Sequence, residues 1–341
     1  MEGLRMTDLA TQTELTSELR DARESDAPLA DYRGELTGYC YRMLGSAFDA
    51  DDAVQETMVR AWRGLDRFEG RSALRSWLYR IATNVCLDLL AGRQRRARPM
   101  DLSASAWQPV EASLGARQPE ATWIEPILDN QVFASAGDPA EVAVERESIR
   151  LAFVAALQHL PPRQRAVLIL RDVLRWKADE VADLLESSVA SVNSALQRAR
   201  ATLGSERVRD SPSVAPLDDD DEALLARYVA AFESYDIDAF VALLHEDATQ
   251  NMPPFEMWLQ GRDDIVAWML GPGHGCRGSR LVPTTANGRP AFAHYRPSGP
   301  GGRHEPFALQ VLDIADGKVV AISSFLDTAL FSLFGLPEQL D

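Results

Sequence analysis

The sequence predicts a multidomain chain: two all-α helical domains followed by an α+β domain. Three observations carry that prediction. Apolar residues recur at helical spacing through 29–98 and again through 141–207. The periodicity fails in a proline-rich tract at 99–140 and in an acidic tract at 208–220, which read as linkers. Over 221–335, helices give way to alternating strands joined by glycine turns, the pattern of helices leading into an antiparallel sheet.

The first domain opens after a polar lead-in, residues 1–28. Leu29–Leu44 reads as a helix with Tyr32, Leu36, Tyr39 or Cys40, and Met43 on one side. A second helix, 49–66, starts on Asp49-Ala-Asp-Asp, where carboxylates favour the helix dipole. Val54, Met58, Ala61, Trp62 and Leu65 form its expected buried stripe, and Asp51, Asp52, Gln55 and Glu56 its opposite face. After a loop at 67–72, the helix 72–91 is expected to bury Leu74, Leu78, Ile81, Val85 and Leu89. Its other side then shows Arg75, Tyr79, Arg80, Thr83 and Asn84, and a basic tail runs to Arg98. An acidic face beside an aromatic-bearing basic face points to two partners, a basic protein surface and a nucleic acid.

The tract 99–140 holds Pro99, Pro109, Pro119, Pro126 and Pro139, but also Trp107 and Trp123. A disordered spacer seldom carries large aromatics. One reading is that Trp123 and Ile124 pack on a domain of the same chain. Further on, Glu141–Leu157 is amphipathic, and His159-Leu-Pro-Pro stops it and starts the next helix, Arg163–Leu174. Ala178–Leu185, a four-residue turn and Val189–Leu203 form a helix-turn-helix. Val181, Leu184, Leu185, Val192 and Leu196 lock its helices and Ser188 caps the second. That leaves Ala190, Ser191, Asn193, Ser194, Gln197, Arg198 and Arg200 exposed, suited to a major groove and its phosphates. The prolines and aspartates of Ser211–Asp221 mark the second linker. Helices at 222–235 and 237–244 then precede strands near 279–287, 290–296, 306–314 and 318–326.

The totals bound the function. The chain has 341 residues, 46% hydrophobic, enough for two or three cores. A net charge of −16 alone argues against nucleic-acid binding, but the distribution of that charge argues for it. Arg60–Pro99 carries ten arginines against three acids, whereas Asp210–Asp341 carries eight basic and twenty acidic residues. Three scattered cysteines suit a reducing compartment without a disulfide framework or zinc site. Met1–Arg23 lacks an apolar signal core and no apolar run has membrane-span length, so the expectation is a cytoplasmic protein without a membrane partner.

Asp49-Ala-Asp-Asp-Ala-Val-Gln-Glu, Arg60-Ala-Trp, Phe68-Glu-Gly-Arg-Ser and Ser76-Trp-Leu-Tyr-Arg-Ile-Ala-Thr-Asn resemble region two of the extracytoplasmic-function sigma factors, the promoter-specificity subunits of bacterial RNA polymerase. Leu157–Leu203 resembles region four of the same family. It departs in having Glu186 where the turn glycine is usual, and Asn193 and Ala195 at positions often basic. Residues 221–335 resemble the cone-shaped SnoaL-like, or nuclear-transport-factor-two-like, family. The implied partners are core RNA polymerase and promoter DNA. The implied polymerase dock is Asp51, Asp52, Gln55 and Glu56. The implied contacts to the −10 element are Phe68, Arg71, Arg75, Tyr79, Arg80 and Asn84, and those to the −35 element are Ser188, Ala190, Ser191, Asn193, Ser194, Gln197, Arg198 and Arg200. Tyr79 is the better stacking wedge, because Trp77 reads as a core residue. The resemblance also opens a second reading of the linker, as a segment threaded through a polymerase channel. Separating base pairs costs on the order of 1.4 kcal/mol per step and a correct base contact gains roughly 1–3 kcal/mol, so a large partner is needed to hold strands apart.

No HxxxH or HExxH pattern joins the five histidines, and no nucleophile elbow or phosphate loop occurs, so neither a metal nor another cofactor is expected, nor is the chain read as an enzyme. The SnoaL-like resemblance does allow a cone with a His–Asp pair. His245, Asp247, His294 and Asp327 are the ionisable candidates, and a pocket is expected from Met252, Trp258, Phe292, His294, Phe307 and Asp327, open to a small-molecule ligand. The main expectation is therefore a sigma factor regulated in cis by its C-terminal domain. The alternatives are a cyclase-, isomerase- or hydrolase-type SnoaL-like enzyme tethered to a DNA-binding module, and a stand-alone helix-turn-helix repressor.

Overall fold

A computed structural model describes residues 27–68, 73–133, 146–205, 218–298 and 302–341. The chain forms two compact units. One is drawn from Met1–Arg93, Asn130–Ser148 and Ala156–Glu206, and the other from Gln94–Asp129, Ile149–Ala155 and Arg207–Asp341.

The first unit is helical. Its helices are α1 (Arg33–Leu44), α2 (Ala47–Gly64) and α3 (Leu74–Leu90), then α4 (Leu151–Gln158, shared between the units), α5 (Pro162–Leu168), α6 (Ala178–Leu184) and α7 (Val189–Ser205). Gly45 in the left-handed conformation (φ 72°) ends α1, and Ser46 caps α2 by accepting from the Asp49 amide at 3.1 Å, so the two helices turn tightly. Buried arginines help hold the helices. Arg42 donates to Ser148 Oγ at 2.7 and 3.0 Å, and Arg165 donates to the Met43 carbonyl and to Gln158 Oε1. Desolvation lowers the Arg165 pKa to about 10, and those acceptors offset the cost of its burial.

Two expectations about faces are corrected. On α2, Trp62 is 66% exposed and leaves the buried stripe, as the bundle covers only the side of Ala50, Ala53, Val54, Thr57 and Ala61. On α3 the buried set is Leu78, Tyr79, Ala82, Thr83, Val85 and Cys86, whereas Leu74, Ile81 and Leu89 are only half-buried. Tyr79 and Thr83 can go inside because their polar atoms are satisfied. Thr83 Oγ1 donates to the Tyr79 carbonyl at 2.6 Å and shares a hydrogen bond with Tyr39 Oη at 2.7 Å, and Tyr79 Oη donates to Glu35 Oε2 at 3.2 Å.

The second unit is an α+β cone. Helices α8 (Asp219–Ser234), α9 (Ile237–Ala242) and α10 (Arg262–Leu270) pack on a sheet of β1 (Leu244–Asn251), β2 (Trp258–Gln260), β3 (Arg280–Ala286), β4 (Arg289–Pro297), β5 (His304–Ala315) and β6 (Lys318–Phe325), and α11 (Ala329–Leu333) follows. The sheet order is β2-β1-β6-β5-β4-β3, with β1 parallel to β6 and the other pairs antiparallel. The strands expected from the alternation are present. Four elements, β1, β2, α10 and α11, lie beyond those expected; β1 escapes the alternation because Leu244–Asn251 carries three polar or charged residues in succession near its start. Asp316-Gly317 makes the expected turn with positive φ at both residues. Asp218–Asp221, expected as linker, instead open α8. Asp218 caps it, accepting from the Asp221 amide at 2.9 Å, and the following acids favour the helix dipole.

The proline-rich tract as far as Asp129 also belongs to this unit. Trp123, Ile124 and Ile127 are buried, and Ala97 pairs with Trp123 in a parallel bridge. Arg96 donates to the Trp123 carbonyl at 2.6 Å, and Trp258 Nε1 donates to Ser103 Oγ at 2.8 Å. Trp107 and Leu114 pack against the cone core. The β3–β4 turn, Asn287-Gly288 (φ 58° and 71°), receives the end of the tract. Ile127 and Asn287 exchange hydrogen bonds, Ile127 N to Asn287 Oδ1 at 3.1 Å and Asn287 N to the Ile127 carbonyl at 3.0 Å. Asn287 Nδ2 donates to the Ile149 carbonyl at 2.5 Å, and Gly288 N donates to Asp129 Oδ1 at 2.7 Å.

Asn287 is fully buried, so Asn287→Ala strands the Ile127 amide and the Ile149 carbonyl and loses an amide that tolerates the left-handed turn. Denaturant unfolding monitored on the C-terminal unit should show a loss of about 2–4 kcal/mol; a change under about 0.5 kcal/mol, the range of neutral surface substitutions, would contradict this role.

Candidate nucleic-acid interface

On α2 the acidic face stands out to solvent: Asp52, Gln55 and Glu56 are exposed and Asp51 half-buried. Parts of it are internally paired. Asp51 accepts from Arg33 at 2.9 Å and from Gln55 at 2.7 Å, and Glu56 pairs with Arg60 at 2.7 Å. Such exposed pairs are weak and can exchange for a partner's cations. Val59 (41% exposed) and Trp62 continue the same side of the helix, so the acidic edge borders an apolar patch.

Of the expected −10 contacts, Arg71 lies outside the described residues. The Phe68 ring packs against Trp77 with centroids 4.9 Å apart and planes inclined by 38°, and Trp77 is half-buried, consistent with a packing role. Arg75 and Asn84 are exposed. Tyr79 is not an exposed wedge: it is fully buried, its ring 5.2 Å from Tyr39 and 4.9 Å from Trp176. Burial, then the adjacent Glu35 carboxylate, push its phenol well above the ordinary tyrosine range. Arg75 sits 5.4 Å from the ring centroids of both Tyr79 and Trp176 and pairs with Glu35 at 2.7 Å, and Arg80 Nη2 donates to the Asp183 carbonyl at 3.1 Å. Sequence reasoning misses Trp176. The signal that could have found it is a lone indole in an otherwise polar connection, Arg175-Trp-Lys.

The helix-turn-helix assembles as expected. Val181, Leu184, Val192 and Leu196 are buried, and Ser188 Oγ accepts from the Ser191 amide at 3.1 Å, capping α7. Ala190, Ser191, Asn193, Ser194, Gln197 and Arg198 form one exposed face. Arg200 is exposed but committed to Asp172 at 2.7 and 2.9 Å. Glu186 occupies the turn with φ 50°, a conformation that glycine adopts without strain.

The cone holds a cavity of about 30 Å³, room for about two waters. Of the candidate pocket residues, Met252, His294 and Phe307 line it, with Tyr228, Gln310 and Cys276. Trp258, Phe292 and Asp327 do not. Trp258 is turned to Ser103, Phe292 is part of the packed core, and Asp327 accepts from the Ala329 amide at 3.0 Å. His245 is likewise engaged locally, accepting from the Asp247 amide at 3.1 Å. Among the described residues no carboxylate lines the cavity, so no His–Asp pair forms there. His294, 1% exposed, hydrogen-bonds Ser279 Oγ at 2.8 Å, and burial followed by the Arg296 charge lowers its pKa to about 3. Such a group is a poor proton acceptor near neutrality. Among the described residues no cluster of metal-binding side chains occurs and no helix is long and apolar enough to cross a membrane.

Three family descriptions match the chain: Sigma-70 region 2 over residues 29–96, Sigma-70 region 4 over 150–203 and a SnoaL-like domain over 225–322. The ECF RNA polymerase sigma factor SigG of Mycobacterium tuberculosis is 48% identical over 325 residues, 94% of this chain and 86% of that protein. The chain belongs to the ECF sigma factors of RNA polymerase. SigJ of the same organism is 26% identical over 317 residues, 90% of this chain and 93% of its own. Its crystal structure shares the fold, with TM-score 0.58 and 23% identity, covering 92% of this chain and 100% of that one. As an ECF sigma factor the protein directs promoter recognition and DNA melting in transcription initiation, binding core polymerase and promoter DNA; the tethered-enzyme and stand-alone-repressor readings are not the ones these relatives support.

The buried His294 has a stability signature. Its pKa is depressed in the fold, so below about pH 6.5 the unfolded chain takes up a proton that the folded chain refuses. Stability is full above that pH and should fall by about 1.4 kcal/mol per unit as pH drops toward the folded value. His294→Gln should flatten the slope by that amount between about pH 6 and about pH 4, as read by denaturant unfolding. An unchanged slope would contradict it.

Proposed function

We propose that this sigma factor docks on core polymerase through Asp51, Asp52, Gln55 and Glu56, reads the −10 element with Phe68, Arg71, Arg75, Tyr79, Arg80 and Asn84, and reads the −35 element with Ser188 and the exposed face of α7. The acidic face suits a basic surface, with Val59 and Trp62 adding apolar area beside it. The short uncharged side chains at the start of α7 suit close approach to base edges, with Arg198 placed for phosphate.

The C-terminal cone acts in cis, and it does so by holding the linker. The observation that carries this reading is the burial of Trp123, Ile124 and Ile127 together with the Ile127–Asn287 exchange. A linker that must run through a polymerase channel cannot keep these contacts at the same time, so the cone competes with the polymerase for it. The small, carboxylate-free cavity supports a holding role over catalysis.

Two measurements test these statements. Charge reversal by Asp52→Lys with Glu56→Lys should abolish co-purification with core polymerase; undiminished recovery would refute the dock. Run-off transcription by limiting core polymerase should rise when the linker is loosened by Asn287→Ala, and rise further when the chain is cut to residues 1–210. Output equal to that of the intact chain in both cases would refute regulation through the linker.

A further inference from the structure

Within the helical unit, the side of α3 assigned to the −10 strand is already occupied. Tyr79 has no exposure and its ring lies 4.9 Å from that of Trp176, inclined by 53°. The Arg75 guanidinium is 5.4 Å from both ring centroids, and Arg80 is bonded to the backbone of α6 through the Asp183 carbonyl. A cation and an aromatic ring gripping a flat heterocycle is the arrangement by which proteins hold unstacked bases. Here the heterocycle is an indole of the chain itself.

The backbone that delivers Trp176 is unusual. Residues Ile169–Val173 form a turn of π-helix where α5 would otherwise continue, and Arg175 takes φ 58° immediately before the tryptophan. Both features carry a cost and tend to persist where they place a functional side chain. The indole is also imperfectly accommodated: Trp176 Nε1 is buried without a hydrogen-bond partner among the described residues. A contact held by ring packing, with an unsatisfied N–H, is suited to release.

We propose that Trp176 stands in for a DNA base on the Arg75–Tyr79 platform, so that region four locks the strand-reading face of region two until the two separate. The inference rests on the −10 assignment given above and adds the occupant that blocks it. The isolated chain then has little affinity for single-stranded DNA, and opening region four away from α3 is a required step before strand capture.

The test uses the full chain and a short fluorescein-labelled single-stranded DNA of mixed sequence. Trp176→Ala should raise its affinity, read by anisotropy, by about tenfold, the scale of one stacking contact. Trp176→Leu, which keeps buried apolar volume, should raise it in the same direction. Unchanged affinity in folded variants overturns the lock. In the wild type, nitration of Tyr79 should be blocked in the free chain and appear on binding core polymerase; equal reactivity in both states also overturns it. Tyr79→Ala in run-off transcription separates the two ideas. Unaffected run-off rejects the −10 assignment and with it the lock, whereas reduced run-off with no gain in DNA affinity from the Trp176 variants rejects the lock alone.

Discussion

The pairing of Ile127 with Asn287 is the constraint on which the C-terminal unit depends. A proline-rich segment has few ways to satisfy its backbone, and a buried amide or carbonyl left without a partner costs about 1–3 kcal/mol. The Asn-Gly turn of the β3–β4 hairpin solves this with one side chain: Asn287 reaches the linker at Ile127 and the chain again at Ile149. Once that point is fixed, Trp123 and Ile124 can be buried and Trp107 can pack on the cone. The cone is thereby as much a receptor for its own linker as a separate domain.

The helical unit follows a related logic. A face carrying arginines and a tyrosine would be expected in water, yet α3 turns Tyr79 inward and satisfies it with Glu35 and ring contacts. In both units a segment that we propose acts on polymerase or DNA is engaged by another part of the same chain. Such engagement need not be strong. Exposed ion pairs such as Arg75–Glu35 contribute about 0–1 kcal/mol, little against the many contacts a large partner offers.

Much of this was legible from residues alone. The helix-turn-helix was readable because its apolar positions alternate with short polar ones at helical spacing, and the last β-hairpin because the Asp316-Gly317 turn joins two segments rich in β-branched and apolar residues. The faces of α2 and α3 were not. Both helices carry aromatic and apolar residues around most of their circumference, so spacing cannot say that Trp62 faces out and Tyr79 in. The cavity residues failed for a different cause. Trp258 and Phe292 have the composition of a pocket wall, but the linker claims one and the core the other, and only tertiary packing decides that. Asp218–Asp221 show that a run of acids between domains can be a helix start, where the dipole gives like charges a reason to cluster.

Hydrogen exchange of the segment 120–129 in the intact chain tests the central claim most directly. If the linker is built into the cone, amides around Trp123–Leu128 exchange as slowly as those of β3 and β4, and binding of core polymerase releases them. Exchange at the rate of an unstructured peptide in the free chain would contradict the account.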